Sequence, residues 1–208
     1  RVFAITGTNG KTTTTGLLRD ILTDAGIPTG MISTVEVSWP GFSQAAQHTT
    51  PDACCLQALL RQMVDAGCQA VVMEASSHAL DQCRLNQIPL EAVAFTNLTQ
   101  DHLDYHHDME SYFFAKSRLL QLAVAGNSGA TAMINTDDPY GARLAKMALA
   151  VGLRVWDYGL HGQAVGASAL EFSAVATSFL LHTPQGVEQV QSHLPGLYNV
   201  YNTLAPRV

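Results

Sequence analysis

The stretch VFAITGTNGKTTTT (residues 2–15) decides the fold. Its first five residues, Val2–Thr6, read as a short buried strand. A glycine-rich turn follows, and then a helix predicted from about Thr12 to Ala25. In such a unit Gly7 and Gly10 let the backbone turn tightly and aim its N–H groups at oxygens, and the helix N-terminus adds partial positive charge. Lys11 brings a point charge for β/γ-phosphates, and the Thr12 hydroxyl is placed to hold Mg²⁺. Gly7, Thr8, Asn9, Gly10, Lys11, Thr12 and Thr13 are therefore the candidate nucleotide cradle. The loop is shorter than the common G-x-x-x-x-G-K-[ST] form, because Ile5 stands where the first glycine would be.

Working outward, apolar residues recur at helical spacing at Leu17, Leu18, Ile21, Leu22 and Ala25. Gly26 suits the end of that helix and Pro28 prevents its continuation. Two strand-like runs, Gly30–Thr34 and Val35–Trp39, lead into a polar loop that reaches Thr49-Thr50-Pro51. A second helix, Asp52–Ala66, is expected to turn Leu56, Leu59, Leu60, Met63 and Val64 inward. Strands are then predicted at Ala70–Glu74, Ala92–Thr96, Ala130–Asn135 and Leu153–Tyr158, with helices near Met109–Ala123 and Pro139–Val151. This rhythm predicts an α/β fold, a mostly parallel phosphate-loop sheet flanked by helices. Residues 167–194 alternate instead, with turn chemistry at Pro184-Gln185-Gly186, which predicts a small accessory antiparallel sheet. The expected organisation is a core over about residues 1–160 and an accessory part over about 161–194.

The bulk composition limits what this fold can serve. Of 208 residues, 47% are hydrophobic and 13% charged, with net charge −6 and mean hydropathy +0.10. A sizeable core is expected and long disorder is not. No Lys/Arg cluster offers a face for nucleic acid or anionic lipid. No apolar run reaches the roughly 20 residues that span a bilayer, and no signal peptide opens the sequence. The four cysteines lack paired metal-ligand spacing and read as reduced thiols. A cytoplasmic monomer with small-molecule partners is expected.

Three further features fall at the C-terminal ends of predicted parallel strands, where such sheets bind ligands. Glu74 ends one strand, and its carboxylate can reach an ion held by Thr12. The loop TNLTQDHLDYH (residues 96–106) carries His102 among other histidines and acids. Lys116 lies on the apolar stripe formed by Tyr112, Phe113, Leu119, Leu120 and Ala123. A lysine in that position either snorkels to water or, if desolvated, has a lowered pKa and reacts as the free amine.

The short loop resembles the Mur ligase superfamily, whose members share GT(N/H)GK(T/S). The runs MEASSHALDQCRL, TNLTQDHLDYH, YFFAKSRL and INTDDPYG carry the resemblance along nearly the whole chain. They match the branch that adds a diamino acid to UDP-MurNAc-L-Ala-D-Glu, and in it the central domain only. The resemblance implies an ATP-dependent amide-bond ligase of peptidoglycan precursor synthesis, with ATP and two Mg²⁺ ions. It implies a carbamylated Lys116 that holds metal together with Thr12, Glu74 and His102, and the catalytic set Lys11, Glu74, His102 and Lys116. It implies substrate contacts from Thr49, Thr50, Ser76, Gln82 and Arg84, and adenine contacts from Asn199 and Asn202 in LPGLYNVYNTLA. The bland readings stay open here: Thr49, Thr50 and Ser76 as helix caps, and Asn199 and Asn202 likewise. His48 and Pro206 depart from the family pattern. The family's N-terminal UDP-binding and C-terminal amino-acid-binding domains are expected to be absent, so meso-diaminopimelate and L-lysine are not distinguished and the isolated chain is expected not to complete ligation. A folylpolyglutamate synthetase-like ligase, a kinase or a non-catalytic nucleotide-binding module are the competing readings; a GTPase would carry N-K-x-D, which this sequence lacks.

Overall fold

The chain folds, in a computed structural model that describes residues 1–127, 129–161 and 163–206, around one long mixed sheet. In chain order the elements are β1 (Val2–Thr6), α1 (Lys11–Asp24), β2 (Thr29–Ile32), β3 (Glu36–Trp39), β4 (Phe42–Ala45), α2 (Ala53–Asp65), β5 (Ala70–Glu74), α3 (Ser77–Asp81), β6 (Ala92–Phe95), α4 (Leu103–His106), α5 (Met109–Gly126), β7 (Thr131–Asn135), α6 (Pro139–Ala150), β8 (Arg154–Gly159), β9 (Val165–Phe172), β10 (Thr177–Thr183), β11 (Gly186–Ser192) and α7 (Leu197–Leu204). Spatially the strands run β11-β10-β9-β8-β7-β6-β1-β5-β2-β3-β4. The phosphate-loop strand β1 thus sits in the interior of the sheet, paired in parallel with β5 on one side and β6 on the other.

The two faces of β1 feed two cores, as strand alternation requires. Ala4 joins a cluster with Leu56, Met63, Leu80, Phe113 and Leu120. Ile5 joins a second, with Val72, Met133, Tyr158, Phe179, Val200 and Leu204, under α1 and α7. The β-to-α switches are set by caps: Asp52 accepts from Cys54 and Cys55 N–H, Asp108 from Ser111, and Asp138 from Tyr140 and Gly141, with Pro139 opening α6.

The predicted βα rhythm is present, and some side chains point elsewhere. Val64 is 59% exposed, because α2 buries a single stripe whose fully covered members are Leu56 and Met63. In α1 the buried residues are Thr14 and Thr15, while Leu17, Leu18, Ile21 and Leu22 are half-buried and Ala25 is exposed; Leu18 and Leu22 pack against the second core. The polar loop before Thr49 holds an extra strand, β4, all of whose residues are exposed. It pairs with β3 across a turn where Trp39 and Phe42 stack at 3.9 Å. The expected meander is formed by β9, β10 and β11. It extends the main sheet through two parallel pairs, Tyr158 with Val165 and Gly159 with Gly166.

Candidate functional site

The phosphate loop leaves β1 with both glycines in positive-φ backbone, Gly7 at φ 148° and Gly10 at 85°. Neighbouring chain presses on both: a Cβ on Gly7 would run into Thr96 Oγ1, and one on Gly10 into Asn202 Oδ1. The loop is fastened to the segment after β6. Thr8 N donates to Asn97 O at 2.8 Å, Asn9 N to Asn97 Oδ1 at 2.9 Å, and Thr96 Oγ1 to Asn9 O at 2.6 Å. Helix α1 has no side-chain cap, and its first intrahelical bond runs from Thr14 N to Gly10 O. The amides of its first turn, which carries Thr12 and Thr13, are therefore free to meet an anion.

Two lysines meet beneath this loop. Lys11 Nζ donates to Gly7 O at 3.0 Å and to Thr8 O at 2.8 Å. Lys116, from the middle of α5, donates to the same Gly7 O at 2.7 Å and is 1% exposed. The apolar stripe of α5 therefore carries its lysine inward and the amine does not snorkel. Burial pushes the Lys11 amine down, against the pull of the Glu74 and Asp101 carboxylates. Burial, and then the Lys11 ammonium, hold the Lys116 amine well below its ordinary value, with Asp101 opposing.

Glu74, at the end of β5, is fully buried. Its Oε1 accepts from Thr34 N at 2.8 Å and its Oε2 from Thr34 Oγ1 at 3.0 Å. His102 sits at φ 54° just before α4, half-exposed, with Nε2 3.6 Å from Asp101 Oδ2. A left-handed conformation at a non-glycine residue stores strain of a kind that clusters at functional sites. Tyr112 stands between His102 and Lys116: the His102 ring meets it edge-on at 6.0 Å and Lys116 Nζ lies 4.5 Å from its centroid. Its hydroxyl pairs with Thr8 Oγ1 at 3.2 Å. Among the described residues no three His, Cys, Asp or Glu side chains converge as a ready metal cage.

The residues expected to touch substrate cluster beside Glu74, where they also hold one another in place. Thr50 is buried and donates to Glu74 O at 2.8 Å. Ser76 caps α3 through Ala79 N at 3.2 Å. Thr49 Oγ1 lies 3.1 Å from Thr34 Oγ1. Arg84 does not present an open fork: NH1 donates to Thr50 O at 2.7 Å, while Nε and NH2 both donate to Gln82 Oε1. On the other side of the loop a cavity of about 560 Å³ is lined by Asn9, Gly10, Asn97, Asp137, Tyr201 and Asn202 among others. Asn202 Nδ2 donates to Asn199 Oδ1 at 3.1 Å, and Asn199 Nδ2 to Pro195 O at 2.9 Å. Burial, then the Asp137 carboxylate that accepts its hydroxyl, push the Tyr201 phenol up to about 12. Thr34, Asn97, Tyr112 and Asp137 also support the site; the runs TNLTQ, YFFAKSRL and INTDDPYG carry three of them, and nothing local in the sequence marks Thr34.

Residues 5–206 match the family described as Mur ligase middle domain. The chain is 48% identical over 208 residues to the UDP-N-acetylmuramoyl-L-alanyl-D-glutamate--2,6-diaminopimelate ligase of Geobacter sulfurreducens, covering 98% of this chain and 40% of that protein. It is 46% identical over 205 residues to the same-named ligase of Thermosynechococcus vestitus, with the same two shares. It thus spans 40% of the length of these curated relatives. A solved structure of a ligase of that name superposes with a TM-score of 0.89 at 34% identity, over 99% of this chain and 42% of that one. The MurF ligase of Thermotoga maritima, solved in complex with ADP, has the same fold, with a TM-score of 0.73 at 18% identity, over 99% of this chain and 43% of that one. By its sequence and its fold, the chain belongs to the Mur ligase family as a middle domain of that family.

Proposed function

We propose that this chain is the nucleotide-binding and phosphoryl-transfer core of a cytoplasmic ATP-dependent ligase that joins 2,6-diaminopimelate to UDP-MurNAc-L-Ala-D-Glu. The observation that carries the reading is the pair of lysine amines meeting on Gly7 O beneath an uncapped helix N-terminus, with one of them buried. The diaminopimelate assignment draws its support from the names of the relatives.

The donor set fits ATP with Mg²⁺. Open α1 amides and the Lys11 ammonium suit phosphate oxygens. Glu74, Thr12 and His102 are too few to cage an ion alone, which suits Mg²⁺, an ion that usually keeps waters and takes oxygens from phosphates. Thr12, Glu74, His102 and carbamylated Lys116 would hold two such ions, whose chemistry is to neutralise phosphate charge. Burial lowers the Lys116 pKa and so favours the free amine, the form that adds to CO₂.

In the proposed reaction a γ-carboxylate oxygen of the D-glutamate attacks the γ-phosphorus of ATP. The bond from that phosphorus to the β–γ bridging oxygen breaks and ADP leaves. Lys11 and the loop amides orient the triphosphate for in-line attack. The diamino acid's amine then attacks the acyl phosphate carbon, inorganic phosphate departs, and the amine gives up a proton.

The test is trapping of the acyl phosphate by hydroxylamine with the full-length protein, ATP, Mg²⁺ and UDP-MurNAc-L-Ala-D-Glu. Wild type should yield hydroxamate. Lys116→Ala should lose it and recover part with short carboxylic acids. No hydroxamate from wild type refutes the ligase reading; full yield from Lys116→Ala without added acid refutes the carbamate.

A further inference from the structure

We propose that Asp137 is a positioning residue for the nucleotide pocket, acting through Tyr201 to fix α7 so that Asn202 rests on the phosphate loop. The inference rests on the nucleotide reading above and deepens it.

Asp137 follows β7 at the edge of the 560 Å³ cavity. Its carboxylate takes three donors. Oδ2 accepts from Tyr201 Oη at 2.9 Å and from Leu160 N at 2.7 Å; Oδ1 accepts from Gln163 Nε2 at 2.8 Å. The donors come from α7 and from the segment joining β8 to β9, so one side chain ties the central sheet to the helix and to the approach of the meander. Its neighbour Asp138 does other work, capping α6 and accepting from Leu98 N at 3.0 Å.

Helix α7 needs such a tie. It has eight residues and no side-chain cap. Val200, Leu204 and Ala205 hold one side in the core, and the Tyr201 hydroxyl adds a directional bond from the helix to the central sheet. Tyr201 and Asn202 are adjacent in sequence, so a rotation that moves one moves the other. Asn202 lies so close to Gly10 that a Cβ there would collide with it. A hydrogen bond to a charged acceptor is stronger than a neutral one, and here it sets the angle at which Asn202 meets the loop. Through Asn202 this tie reaches the loop at Gly10 and makes no contact with the Lys11 ammonium, which is held by Gly7 O and Thr8 O.

The experiment is calorimetric titration of the full-length protein with two probes, a non-hydrolysable ATP analogue and inorganic tripolyphosphate, each with Mg²⁺. Tyr201→Phe keeps the ring and removes the donor. It should weaken the analogue roughly five- to tenfold, the loss of about one hydrogen bond, and leave tripolyphosphate within about twofold. Asp137→Asn should act in the same direction, and the double variant should be no weaker than the weaker single. Unchanged analogue affinity in Tyr201→Phe overturns the proposal, as does an equal loss of both probes, which is general loosening of the site. If Asp137→Asn fails to fold, Tyr201→Phe decides alone. A wild type that binds neither probe overturns the nucleotide reading itself, and this inference with it.

Discussion

Replacing Lys116 with methionine is expected to stabilise the unliganded protein slightly while removing its activity. The side chain is 1% exposed, with Nζ 2.7 Å from Gly7 O and 4.5 Å from the Tyr112 centroid. Methionine is unbranched and adapts to such a site. The change removes one hydrogen bond, about 1 kcal/mol net. Gly7 O is not orphaned, because Lys11 Nζ stays 3.0 Å away. An apolar tip replaces the amine, a gain of about 0.8 kcal/mol for one methylene equivalent, and the penalty for holding an amine inside the protein disappears. That penalty has a pH signature. Burial, and then Lys11, hold the amine well below its ordinary 10.5. Between the folded and unfolded values the unfolded chain binds more protons, so stability rises with pH across that window, by at most about 1.4 kcal/mol per pH unit for one proton. The destabilisation is fully present below the folded value and gone above the unfolded one. Lys11, shifted in the same direction, keeps part of the slope. Lys116→Met should therefore flatten the slope and gain from about zero to 2 kcal/mol at neutral pH. Urea unfolding in CO₂-free buffers from about pH 6 to 9, with m-values compared, measures both. A loss above about 1 kcal/mol at neutral pH, or an unchanged slope, refutes the reasoning.

Two further perturbations test the supports around the site. Thr34→Val removes the hydroxyl that donates to Glu74 Oε2 at 3.0 Å, leaving a buried carboxylate with one bond fewer; the urea midpoint should fall by the equivalent of about 1.5–3 kcal/mol, and Thr34→Ser should restore most of it. Asp138→Ala removes both the α6 cap and the acceptor for Leu98 N; a loss of about 1–2 kcal/mol should come with faster hydrogen exchange at the Leu98, Tyr140 and Gly141 amides.

What the sequence made legible follows from locality. The phosphate loop is contiguous, and its glycines, lysine and threonine announce themselves by spacing. Lys116 was legible as an anomaly because its own helix supplies the apolar stripe around it. Strand β4 was not, since FSQA has no buried face; it is a strand because β3 offers an edge and Trp39 a ring to stack on. Thr34 supports a carboxylate 40 positions later in the chain, and Asp137 holds a tyrosine 64 positions away. A polar residue in a loop carries no sign of such a partner. Arg84 was legible as a clamp, yet its fork is already engaged by Gln82 and Thr50, a competition that only three dimensions expose.

The place of β1 in the sheet has a consequence for how the grip on phosphate comes into being. Strand β10 closes on β11 across the two residues between Thr183 and Gly186. Strand β1 cannot complete either ladder until residues near 71 and 92 have arrived. Ring-closure entropy grows with the length of chain enclosed. The loop that would hold triphosphate therefore hangs from the ladders whose closure gives up the most chain freedom, and it takes shape only when distant thirds of the core have already come together.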